Sequence, residues 1–207
     1  MENAHYEGWF CPAPFDMVAE DGRHDIGSHS CFHRAFAESE LTLEEAEYDF
    51  RASAQLLSHK PNTFIYPRNI VGFTALLKKY GYIGYRHGKA YTTNPLGRLM
   101  NLAAEFHVLQ QSEAPLPQVD VVPAGFFLNW PNGMRKHVPD AITQRRWNHI
   151  LSDAAKNNGV AHMWFHPHNF INHPTMHHNF KQIIATVARL RDEGKISVMT
   201  MRDYCSQ

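Results

Sequence analysis

The chain has 207 residues, enough for one domain with a sizeable core. Apolar residues make up 43% and charged residues 19%, a balance that excludes a disordered or fibrous chain. Twenty Lys and Arg offset twenty Asp and Glu, so no basic excess points to nucleic acid or a membrane surface, and no stretch is long and apolar enough to span a bilayer.

Residues 1–8 are polar and charged and do not have the pattern of a secretory signal. Cys11, Cys31 and Cys205 lack the paired spacing of a disulfide framework or a cysteine zinc site, so a reduced, cytoplasmic setting is expected. Cys31 is expected as a small buried residue.

Residues 9–21 open with aromatics and two prolines and then predict a short helix on Phe15, Val18 and Ala19, ended by Gly22. Residues 24–27 predict a short strand, followed by a bend and then His29 and His33, four residues apart. A helix beginning near Ser28 would put both rings on one face, one turn apart. Thr42 and Glu45 form a capping box, and Leu43, Ala46, Phe50, Ala54 and Leu57 trace one helical face after it. Residues 63–66 predict a strand stopped by Pro67. A helix follows on Phe73, Leu76, Leu77 and Tyr80, then a strand at 82–85. Residues 87–116 form a less regular excursion with a helical piece near 99–104. Beyond it come a strand at 119–122, a helix on Ile142, Trp147, Ile150, Leu151 and Ala154, a strand at 160–165, a helix at 174–191, a strand at 196–199, and a helix start at Thr200 and Asp203. This alternation predicts a parallel sheet with helices outside it, in a single domain over residues 1–207.

Two imidazoles so spaced can supply two ligands to one divalent metal, and a catalytic zinc takes a third from elsewhere. The alternative is that both are ordinary polar residues at a helix start. Arg68 follows a strand end and Pro67, a position equally suited to a surface ion pair. The run from Met163 to Phe170 delivers His166 at the end of an apolar strand, with His168 two residues on. A histidine there suits proton transfer near neutral pH. His166, as the first residue past the strand, is preferred over His168. His173, His177 and His178 are read as solvated loop and helix-start residues.

The stretch His24-Asp25-Ile26-Gly27-Ser28-His29-Ser30-Cys31-Phe32-His33 resembles the second motif of the polysaccharide deacetylase (NodB-homology) family. Phe64-Ile65-Tyr66-Pro67-Arg68-Asn69 resembles the arginine motif of bacterial surface-polysaccharide members, and Trp164 with His166 resembles the late histidine motif. The resemblance extends from about Trp9 to the C-terminus. It implies an α/β fold, a distorted (β/α) barrel incomplete at its N-terminal strand or strands. It implies zinc or another divalent metal on His29 and His33, Arg68 orienting a catalytic carboxylate, and His166 as the acid that protonates the leaving amine. The substrate implied is an N-acetylated sugar of a polysaccharide or its precursor. The family's opening Thr-Phe-Asp-Asp-Gly-like strand, which supplies the base and the third metal ligand, has no counterpart before His24. The expectations are therefore a de-N-acetylase completed by self-association or by a complementing N-terminal segment or, alternatively, a catalytically inactive deacetylase-fold fragment or a carbohydrate-binding or interaction module.

Overall fold

The computed structural model describes residues 12–56, 60–88, 94–118 and 120–207. Trp9, Cys11, Leu57 and Val119, all used in the sequence reading, lie outside them. The chain divides into two compact units, one formed by Met1–Arg86 with Thr200–Gln207 and the other by His87–Met199.

In the first unit, α1 (Pro12–Glu20) precedes α2 (Leu43–Leu56), β1 (Thr63–Phe64), a short 3-10 turn at Pro67–Asn69, α3 (Ala75–Lys79) and β2 (Gly84–Arg86). The predicted capping box starts α2: the Glu45 N–H donates to Thr42 Oγ1 at 3.2 Å and the Thr42 N–H donates to Glu45 Oε2 at 2.9 Å. β1 and β2 pair in parallel, Thr63 with Gly84 and Phe64 with Tyr85. Phe64 of β1 joins residues of α2 and α3 in an aromatic core around Phe36, Phe50, Tyr66 and Tyr82, with Tyr85 of β2 packed against it. Phe50 sits 5.0 Å from Phe36 and 4.8 Å from Phe64, ring centre to ring centre.

In the second unit, α4 (Pro95–Glu105), β3 (Val121–Val122) and β4 (Phe126–Phe127) precede α5 (Asp140–Asn157), β5 (Met163–Trp164), α6 (Pro167–Asn172) and α7 (Pro174–Asp192). β4 and β5 are parallel neighbours, Phe126 beside Met163 and Phe127 beside Trp164. Trp147, Ile150 and Leu151 of α5 pack with Met176, Ile183 and Leu190 of α7 to form the core. α5 ends at Asn158, whose φ of 51° is the left-handed closing conformation that Asn tolerates. Finally α8 (Met201–Tyr204), in the first unit, starts from a reciprocal Thr200–Asp203 capping box.

Three expectations change. Residues 24–27 form no named strand; Ser28 alone bridges to Phe64, in parallel. No helix begins near Ser28. Residues 196–199 are not a strand, and Val198 and Met199 are 60% and 41% exposed. In neither unit do the strands of the described residues close a barrel. No helix among them is long and apolar enough to cross a membrane.

Candidate functional site

The segment before His29 runs beside β1 through three backbone bonds. The Asn62 N–H donates to the Ile26 carbonyl at 3.1 Å, the Ser28 N–H to the Thr63 carbonyl at 2.8 Å, and the Ile65 N–H to the Ser28 carbonyl at 2.9 Å. Gly27 is needed here for closeness: a Cβ on it would lie 2.8 Å from Thr63 Oγ1. This pairing delivers His29 to the C-terminal end of a parallel segment, where α/β folds place their sites.

His29 and His33 meet, with ring centres 4.9 Å apart and planes at 77°. They do so without a helix. Ser30 and His33 have φ values of 71° and 53°, and the loop is held by Asp49 of α2. Its carboxylate accepts from Ser30 Oγ at 2.8 Å, the Cys31 N–H at 2.8 Å and the Phe32 N–H at 3.4 Å. Ser30 Oγ in turn accepts the His33 N–H at 2.9 Å. These side chains take the backbone donors that a helix would have used. Cys31, expected to be buried, is exposed, its backbone N–H tied to Asp49.

His29 Nδ1 lies 2.7 Å from the Ile65 carbonyl oxygen. A carbonyl only accepts, so Nδ1 carries the proton and the lone pair is on Nε2, the state in which an imidazole ligates a metal. Although the residue reaches the surface, burial of its ring pushes the His29 pKa below the ordinary imidazole value; the nearby His33 and Arg86 act the same way, and the Ile65 carbonyl opposes them. Neutral imidazole is therefore favoured near pH 7.

Arg68 sits in the 3-10 turn at φ 55° and pairs loosely with Glu40, at 3.9 Å with both side chains exposed. Among the described residues of this unit, Arg86 is a buried cation, 7% exposed, and it donates to Asn69 Oδ1. The sequence reading missed Arg86 and Asp49. Asp49 left a trace: with Ser53 it interrupts the apolar face of α2 four residues apart, a polar pair pointing inward.

In the second unit His166 stands just past β5 as the residue that starts α6, its N–H donating to Asn169 Oδ1 at 3.0 Å. It is exposed, and its ring stacks on His168 with centres 5.3 Å apart and planes at 10°. His168 and His173 flank Trp130, at 5.7 Å and 6.1 Å. Tyr66 is 1% exposed and belongs to the core of the first unit.

The histidine pair fits the imidazole part of a metal site. Among the described residues, no group of three or more His, Cys, Asp or Glu side chains is placed to hold a metal ion. Comparison with protein-family models, curated proteins and solved structures finds no match.

Proposed function

We propose that the chain is a metal-dependent carbohydrate de-N-acetylase domain of the polysaccharide deacetylase type, with that family's distorted barrel incomplete at its N-terminal strand or strands. His29 and His33 would hold zinc or another divalent cation. The supporting observation is the ring-to-ring histidine pair at the end of a parallel segment, with the His29 proton fixed on Nδ1 by a backbone carbonyl. A metal bound there would supply Lewis acidity toward an acetyl carbonyl and toward water. The third ligand and the base are carboxylates brought by another segment or another chain.

The chain's own residues have separate tasks in this reading. His29 presents its Nε2 lone pair and stays neutral at working pH. His33 supplies the second imidazole. On the family resemblance, Arg68 would orient the incoming carboxylate, and His166, in the second unit, would be the acid for the departing amine nitrogen.

The test is elemental analysis of the purified chain beside its His29→Ala and His33→Ala variants, with free-amine release from an N-acetylated oligosaccharide as a second readout. About one metal per chain, absent from each variant, is the expected result. Metal content equal in all three would overturn the assignment. Oligosaccharide binding without amine release, even with an added carboxylate-bearing segment, would identify a carbohydrate-binding module instead.

A further inference from the structure

The histidine loop is held from behind by one buried carboxylate. Asp49 is 2% exposed, and both of its oxygens are doubly engaged. Oδ2 takes the Ser30 hydroxyl and the Phe32 N–H; Oδ1 takes the Cys31 N–H and, at 3.1 Å, the hydroxyl of Ser53 one turn along α2. Through Ser30 Oγ the network reaches the His33 N–H. Every residue between the two histidines is tied to Asp49, by its side chain or by its backbone. Two non-glycine residues with positive φ, Ser30 and His33, cost the loop conformational energy that something must offset. Several bonds to one buried charged acceptor do so.

We propose that Asp49 is the positioning residue of the histidine pair: its carboxylate folds Ser30, Cys31 and Phe32 into the bend that brings His29 and His33 ring to ring, and thereby sets the pair's affinity for a divalent cation. Asp49 does not touch the cation; it acts through Ser30 and the loop backbone. The inference rests on the metal reading for its consequence and on the hydrogen bonds for its cause. Asparagine cannot replace it. A side-chain amide in place of the carboxylate would turn its NH2 toward either the Cys31 N–H or the Phe32 N–H, donor against donor.

The experiment compares the full chain with Asp49→Asn and Ser30→Ala. Ser30→Ala is the gentler change, removing the link to His33 from a surface loop. Zinc affinity is read by chelator competition, unfolding midpoints by urea, and the metal-free loop by NMR cross-peaks between the His29 and His33 ring protons. The expected result is zinc binding weakened tenfold or more in each variant, with the chain still folded and the ring-to-ring cross-peaks gone. The double variant should be no weaker than Asp49→Asn alone, because both act through one link. Unchanged zinc affinity and intact cross-peaks in both variants would overturn the proposal. If the unaltered chain binds no zinc at His29, the metal reading fails. The cross-peaks of the metal-free variants then decide on Asp49 by themselves.

Discussion

Gly27→Ala is expected to loosen the segment that carries His29. The added Cβ would stand 2.8 Å from Thr63 Oγ1 and 3.2 Å from the Thr63 carbonyl oxygen, where ordinary contact begins at 3.4 Å. Thr63 has little room to yield. It is 1% exposed, and its hydroxyl donates to Asp25 Oδ2 at 2.7 Å, so turning away breaks a bond to a half-buried carboxylate. The alternative is to part the two backbones by roughly half an ångström, stretching the 2.8 Å Ser28–Thr63 bond. Either route costs about 1–3 kcal/mol. The assay is urea unfolding followed by circular dichroism, with hydrogen exchange at the Ser28 and Ile65 amides to place the loss. A Thr63→Ala background removes the crowded oxygen and should recover at least about 1 kcal/mol of the Gly27→Ala cost. A cost below about 0.5 kcal/mol, or the same cost in both backgrounds, would show that close approach to Thr63 is not why glycine stands there.

Phe50→Ala should destabilise the first unit by about 3–5 kcal/mol, since a fully buried ring among Phe36, Phe64 and Tyr82 leaves a cavity; a urea-derived loss under about 1.5 kcal/mol would contradict this. Stability should fall on mild acidification. The folded state holds His29 below its ordinary value of 6.5, so the unfolded chain takes up the proton first. Stability is thus lost as pH drops through 6.5 and stops falling below the folded pKa. His29→Gln should flatten that slope between about pH 7.5 and 5.5, and an unchanged slope in urea titrations would reverse the assignment. At the left-handed end of α5, Asn158→Gly should be neutral or slightly stabilising while Asn158→Val costs about 1–2 kcal/mol, a difference visible in melting temperature.

Much of the candidate site was legible, though partly for the wrong reason. The His29–His33 spacing suggested two rings meeting on a helical turn. They meet on a loop, because Asp49 and Ser30 capture the N–H groups that the turn would have needed. Arg68 was legible as a position but its partner was not: Glu40 comes from a loop that no local pattern connects to it. The buried Arg86 gave no signal, since its partner Asn69 stands 17 residues earlier in the chain. His166 was placed correctly at a strand end, and its stacking on His168 follows from a proline-started helix directly after β5.

Local chemistry determined what the sequence could announce by itself. Capping pairs such as Thr42 with Glu45 and Thr200 with Asp203, apolar spacing along α5 and α7, and stops such as Gly81 and Asn158 act within a few residues, so their pattern is their cause. Tertiary structure decided the rest. Whether residues 24–28 ladder, whether Cys31 is buried, and which carboxylate holds the histidine loop depend on partners roughly twenty to forty residues away. Hydrophobic periodicity carries no information about which side chain waits across such a gap; the packing of α2 and β1 against the loop supplies it.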